Sequence, residues 1–253
     1  MDGRTFLKRQ HLSQPLRSLL IAGLLLLATP FIGTATESKT CCYLHSCGEE
    51  SHLSLWRLEV YDDRSLLYSS TKAEEHFNLL TPQWASKSWR LVNEAEKTRI
   101  KVERVGDQLL IKGLFQGEEI SRSEAIDSAP WYQAHSVGLR NLLNSDGKTL
   151  EFWTVRPDNL SVRRLRAQRH SMGKLPIAGE PQQAMRIRVT AVGVPSWIWH
   201  GDYWLRPQDG VLLQYSGRNG LLGAPPLKIS LQGPDQTNSC HELFDLGQPG
   251  QRW

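Results

Sequence analysis

Along most of the chain, apolar and polar residues alternate with a period of two, in short runs separated by turn residues. In the clearest run Met185, Ile187, Val189 and Ala191 fall on one face, and Arg186, Arg188 and Thr190 on the other. Such alternation marks a half-buried β-strand. Leu53–Ser69 reads as strand, turn, strand, with Asp62-Asp63-Arg64 at the turn. Thr71–Gln83 is polar, ends in Thr81-Pro82, and is expected to cross between elements. Between Ser88 and Ala125, short strands at Trp89–Val92, Ile100–Glu103, Leu109–Ile111 and from Ile120 meet turn signals about every ten residues, the spacing of an antiparallel meander. Further strands are expected at Thr149–Val155, Ser161–Arg169, Ala184–Val192 and Leu227–Leu231, with a turn region over Gly173–Pro181.

The aromatic stretch Pro195–Arg218, PSWIWHGDYWLRPQDGVLLQYSGR, predicts a hairpin of Trp197–Arg206 and Val211–Arg218. Its Asp209-Gly210 pair supplies the positive φ that a tight turn needs. One helix is predicted: Tyr132–Asn144 sets Val137, Leu139, Leu142 and Leu143 near one face, and Asn144–Gly147 ends it. A lone short helix among strands packs over an open end or face of the sheet, as a core plug or as a lid over a cavity. Its apolar face favours the plug. The pattern therefore predicts a mostly β chain: an antiparallel sheet of about ten to twelve strands in one domain, with one short covering helix.

The N-terminus reads as an export signal. Arg4, Lys8, Arg9 and Arg17 flank the start of the apolar run Leu19–Ala28, and Gly33 and Ala35 offer small residues ahead of a cleavage point before Thr36. The apolar run to Ile32 contains Pro30 and, at about fourteen residues, falls short of the roughly 20 that span a bilayer. Cleavage and a periplasmic destination are therefore expected, with anchoring by an uncleaved signal as the weaker alternative. The expected divisions are 1–35 as signal peptide, 36–52 as a cysteine-rich segment, 53–232 as the antiparallel β domain and 233–253 as a tail.

Charge then changes its meaning. The first 35 residues hold four basic side chains and one acid, three of the formal four positive charges, so the secreted part is close to neutral. Nucleic-acid binding, which rests on a basic surface, loses its support. Local basicity persists in the strand carrying Arg163, Arg164, Arg166 and Arg169. Such a run is first of all a solvated or edge face. Contact with an acidic ligand or an anionic headgroup, and so peripheral contact with a membrane, is the functional alternative.

Export makes disulfides the expected state of Cys41, Cys42, Cys47 and Cys240. A bond between the adjacent Cys41 and Cys42 would be strained, which favours the other two pairings, and either one staples the N-terminal segment to Cys240. A zinc site of Cys41, Cys42, His45 and Cys47 with Cys240 and His241 has the right residue types, but C-x-x-C and H-x3-H spacings are absent. No metal and no cofactor is expected.

The chain carries no P-loop, no G-x-G-x-x-G opening a helix, no G-x-S-x-G and no H-E-x-x-H. His200 and Asp202 share a strand face beside Tyr203 and could do acid–base work, but no nucleophile stands near them in sequence. Cys240-His241-Glu242 is the other candidate set, with its cysteine expected in a disulfide. No catalytic residue is therefore assigned. All nine tryptophans lie beyond the signal. Large aromatics fill cores first; their functional role would be to line a cavity for an apolar or carbohydrate ligand. Trp153, Trp197, Trp199, Tyr203 and Trp204 are the candidate lining residues.

The segment YWLRPQDGVLLQY, Tyr203–Tyr215, resembles the hairpin of the bacterial lipoprotein-localisation carriers and of related uncharacterised periplasmic β-domains. Phe152–Pro157 and the alternation at Met185–Ala191 sit where that second group would have strands. The resemblance implies a strongly curved, half-open antiparallel barrel with a helix covering its mouth and, from the carriers, a cavity that holds acyl chains. It implies no catalytic residues. The cysteine-rich start and the arginine-rich strand depart from the carriers. The expected function is that of an exported non-enzymatic β-protein that binds a hydrophobic or amphipathic ligand such as a lipid, or assists cell-envelope assembly with an envelope protein as partner. A filled-barrel interaction or scaffolding protein is the alternative, and a hydrolase using His200 and Asp202 a weaker one.

Overall fold

Among the described residues the alternation resolves into fourteen antiparallel strands that form one sheet. The computed structural model describes residues 35–143, 145–218 and 225–234, with Cys240. The expectations placed on residues 1–34, Asn144, His241, Glu242 and Trp253 lie outside the described residues. Strands β1 (Glu37–Cys47), β2 (Glu50–Val60), β3 (Ser65–Ser70), β4 (Glu75–Leu80), β5 (Ser86–Asn93), β6 (Thr98–Val105), β7 (Gln108–Phe115) and β8 (Glu118–Ala125) form a first meander. Strands β9 (Thr149–Val155), β10 (Val162–Ile177), β11 (Glu180–Ala191), β12 (His200–Leu205), β13 (Leu212–Arg218) and β14 (Pro226–Leu231) form a second. The two join through β1, so the order runs from β8 to β1 and then from β14 to β9. Strand β1 pairs with β2 over eleven residue pairs and with β14 over five, from Tyr43 against Leu231 to Cys47 against Leu227.

Among the described residues no ladder closes the sheet. Its edge strand β9 instead meets residues 130–132 through a single parallel bridge, Trp131 against Trp153. The Trp131 carbonyl in turn accepts from the Ser86 N–H, at the start of β5, at 2.7 Å. Gln133 clamps the seam: its side-chain amide donates to the Val155 carbonyl (2.8 Å) and accepts from the Val155 N–H (3.0 Å).

Two strands lie beyond the ten to twelve expected. Strand β4 falls within Thr71–Gln83, and its residues do not alternate because Phe77, Asn78 and Leu80 are all buried, on both faces. Strand β1 occupies the cysteine-rich segment, where adjacent Cys42 and Tyr43 are both buried, on opposite faces. A strand buried on both faces loses its period of two. Strand β10 also runs through the expected turn region to Ile177. The chain reverses instead at Ala178-Gly179, both with positive φ (49° and 85°), in a two-residue hairpin loop.

The predicted helix is shorter than its apolar stripe. It comprises α1 (His135–Gly138) and a 3₁₀ turn over Leu139–Leu142. It packs as a plug against the inner face of the sheet: Leu139 and Leu142 cluster with Tyr43, Phe152, Leu165 and Ile187, and Val137 with Leu58, Leu67 and Leu80. Gly138 lets the plug close on Tyr132 of its own segment, since a Cβ there would stand 2.5 Å from that ring.

Cys42 is bonded to Cys240 across a sequence separation of 198, with Cα atoms 6.0 Å apart. Cys41 and Cys47 are free thiols, which corrects the expectation that all four cysteines pair. Cys41 faces away from Cys42 because neighbours on a strand point to opposite sides. Cys41 and Cys47 share a face but stand roughly 20 Å apart along one extended strand, far beyond disulfide reach. Replacing both bonded residues, Cys42→Ser with Cys240→Ser, is expected to cost about 5 kcal/mol by loss of loop-closure entropy. Urea unfolding reads this as a lowered midpoint, whereas Cys47→Ser should leave the midpoint where it is.

Candidate functional site

The inner face of the sheet is not filled everywhere. Between the plug, strands β1–β5 and strands β12–β14 lies a cavity of about 320 Å³. Its floor follows from register. Tyr203 pairs with Tyr215, Tyr215 with Ile229, Ile229 with His45 and His45 with His52, one transverse row drawn from five strands. A second row runs Trp56, Ser69, His76, and Asn78 pairs with Trp89 beside it. Directly paired residues point to one face, and all of these side chains reach the cavity. The plug and its approach contribute Gln133, His135 and Ser136, and turns at one end of the sheet contribute Thr71, Glu74 and Pro157.

The wall is two-sided. Trp56, Leu212, Tyr215 and Ile229 supply apolar area, whereas the histidines, serines, Asn78, Gln133 and Glu74 supply hydrogen-bonding groups. No lysine or arginine lines it among the described residues. His45 Nε2 lies 2.7 Å from Ser54 Oγ, and its ring stacks on His52 at 4.7 Å. Burial, reinforced by His52, lowers His45 from its ordinary value to about 4. The Trp89 indole N–H can only donate, so His76 Nδ1 accepts from it (3.2 Å) and His76 Nε2–H donates to Glu74 (3.1 Å). That hydrogen bond outweighs burial and holds the Glu74 carboxyl below its usual range.

His135 sits where plug and sheet meet, with Nδ1 at 2.8 Å from Tyr203 Oη and Nε2 at 3.0 Å from Thr154 Oγ1. It is among the residues that line the cavity, and burial lowers it to about 4. Burial also raises Tyr203 well above its ordinary value and, with Asp202 nearby, pushes Tyr215 up to about 12. Glu74 is the sole carboxylate of the lining among the described residues. Asn78 is 4 % exposed and its Oδ1 has no hydrogen-bond partner.

Of the residues expected to line a cavity, Tyr203 stands in this wall. Trp153 lies half-buried at the seam with its indole N–H on Asp127 Oδ1 (2.8 Å). Trp204 points to the outer face, packed on Ile177, Ala184 and Leu213 with Arg186 over its ring at 5.9 Å. Trp199 packs at the margin of the inner cluster, and Trp197 is 70 % exposed in the loop before β12. Sequence spacing does not single out the histidines, because His45, His52, His76 and His135 come from four separate elements. The one local signal is His52-Ser54-Trp56, a polar i, i+2 set on the inward face of β2.

His200 and Asp202 stand outside the cavity wall. Asp202 is held by Arg186 (2.7 Å) and Arg188 (2.9 Å). Burial raises its carboxyl, but the two guanidiniums outweigh burial and hold it below its usual range. His200 Nδ1 meets the Ser196 carbonyl at 2.8 Å. In the arginine-rich strand Arg164 bridges Asp127 and Glu151 and Arg166 also meets Glu151, while Arg169 donates to the Leu142 and Ser145 carbonyls. Among the described residues no group of three or more His, Cys, Asp or Glu side chains could hold a metal ion.

No protein-family model matches the chain, and no curated protein matches it in sequence. Among solved structures it is similar to a β-barrel-like protein with a domain of unknown function, DUF1849, from Brucella abortus. That likeness has 8 % identity and a TM-score of 0.53 over 76 % of this chain and 94 % of that one. The chain is also similar to the hypothetical lipoprotein YmcC from Escherichia coli, at 14 % identity and a TM-score of 0.37 over 80 % of this chain and 90 % of that one. The first likeness establishes the fold, a β-barrel-like curved sheet.

The buried histidines give stability a pH dependence. An unfolded histidine titrates near 6.5, whereas His135 titrates at about 4. Above 6.5 both states are neutral and stability is complete. Below it the unfolded chain binds the proton first, so stability falls as pH drops toward 4, by on the order of 3 kcal/mol for such a histidine. Urea unfolding at pH 7 and pH 4.5 is expected to show this loss, above the range in which the depressed carboxylates protonate.

Proposed function

We propose that the protein is an exported, non-enzymatic β-protein that binds a small amphipathic ligand in the inner-face cavity. The observation that carries this reading is the two-sided wall, with apolar area from Trp56, Leu212, Tyr215 and Ile229 facing the hydrogen-bonding groups gathered mostly on β1–β4. Ligand pockets occupy roughly 300–1,000 Å³, and a volume of about 320 Å³ suits one small amphiphile better than the several acyl chains of a lipoprotein. A filled scaffolding barrel would offer no such space. The Cys42–Cys240 bond fits an oxidising compartment and the export signal expected at the N-terminus. The hydrolase reading has less support, because two arginines occupy Asp202 and the cavity lies elsewhere.

The cavity's rim supports contact with a membrane. Strand direction alternates, so the turns holding Thr71, Glu74 and Pro157 lie at the same end of the sheet as the loop 192–199. That loop exposes Val192, Val194 and Trp197. Apolar side chains with a tryptophan suit the boundary between headgroups and acyl chains, where an amphiphile would be collected or released.

Two measurements test this reading. Titration with the uncharged fluorophore N-phenyl-1-naphthylamine is expected to saturate at one per chain, and Ser69→Phe, which projects a ring into the cavity, to weaken binding about tenfold or more. Equal binding by the variant would contradict the site. Co-sedimentation with phosphatidylcholine vesicles is expected to fall in Trp197→Ser while naphthylamine binding is retained.

A further inference from the structure

We propose, resting on the cavity as a ligand site, that it selects amphiphiles with an uncharged, hydroxyl-bearing head such as an acylglycerol or an alkyl glycoside. A carboxylate or phosphate head only accepts hydrogen bonds and needs cationic donors when removed from water. The wall has no lysine or arginine among the described residues, and it places the Glu74 carboxylate at the turn end. Like charge at that position repels an anionic head. Protonating His45 or His135 to compensate is opposed by their burial.

An ammonium head fails for the opposite reason. It only donates, whereas the Ser54, Ser69 and Tyr203 hydroxyls that line the cavity are each donor and acceptor. The one carboxylate it could meet, Glu74, sits at the turn end and can take only part of an ammonium's three donors. Hydroxyls are donors and acceptors at once and match such a wall group for group.

An independent observation points the same way. Asn78 lines the cavity, and its Oδ1 is buried and has no partner. A buried acceptor in that state is costly until a donor reaches it. It stands between Leu67 and Trp89 across the strands, with His76 and Ser69 forming the adjacent row. A ligand hydroxyl placed there would donate to Asn78 while its chain lies along Leu212 and Ile229.

The test is calorimetric titration of the exported chain at pH 7.5 with three probes of equal chain length: 1-monooctanoylglycerol, octanoate and octylammonium, each below its aggregation concentration. Monooctanoylglycerol is expected to bind at least about tenfold tighter than either ion, the discrimination of a site built around hydrogen bonds. Asn78→Leu should remove most of that advantage. Glu74→Gln, which keeps a partner for His76, should raise octanoate affinity several-fold and so narrow its gap to monooctanoylglycerol. Octanoate or octylammonium binding as tightly as the glycerol ester would overturn the head-group assignment while leaving the cavity as a ligand site. Unchanged octanoate affinity in Glu74→Gln would also overturn it, even should Asn78→Leu fail to fold. If none of the three probes binds and N-phenyl-1-naphthylamine is not taken up either, the cavity reading itself fails.

Discussion

The pairing of β1 with β14 joins the two ends of the folded chain and turns two meanders into one sheet. Without it each meander would end there in an open edge, with unpaired backbone groups in a row. Several contacts hold the same joint. The Gln232 N–H donates to the Cys42 carbonyl at 2.9 Å, the Tyr43 hydroxyl donates to the Leu212 carbonyl at 3.0 Å, and Lys39 forms an ion pair with Asp209 in the β12–β13 turn. These contacts close nearly the whole chain into a loop, and closure entropy is greatest for the longest loops. The disulfide therefore stands where a covalent tie contributes most.

The cavity follows from that joint. His45 belongs to β1 and Ile229 to β14, so the transverse row of its floor exists only once the two meanders meet. The opposite wall depends on the stretch after β8. Trp131 and Gln133 stitch the seam, His135 borders the cavity, and Leu139 and Leu142 enter the core. One segment thus draws the barrel together and limits how far its interior is filled. A leucine in place of Asn78 would bury apolar area without an unpartnered acceptor. Polarity at that position is a cost to folding, which is why it marks the site.

Much of the fold was legible because antiparallel strands with one wet face keep their period of two. Strand β9 has the boundaries read from sequence, and β11 carries the alternation of Met185–Ala191. The hairpin around Pro207–Gly210 formed with its first strand shortened to His200–Leu205, since Val192–Trp197 stays exposed in a loop. Where both faces are covered the pattern disappears. Leu55 faces Cys42 and Cys240 on one side while Trp56 faces the cavity on the other, and β1 and β4 were obscured in the same way. The site was less legible than the fold. Tryptophan density pointed to the second meander, where Trp204 packs on the outer face, while the cavity's own tryptophans, Trp56 and Trp89, lie in the first. Four histidines scattered along the chain become neighbours only through register.

The central claim is that the space left on the inner face holds an amphiphile. Its most direct test is native mass spectrometry of the protein purified from cells without detergent, with lipid extraction of the same sample. The account predicts a one-to-one adduct whose extracted ligand is a single-chain amphiphile with an uncharged hydroxylated head. A chain of unadorned mass, with no enriched amphiphile in the extract, would contradict it.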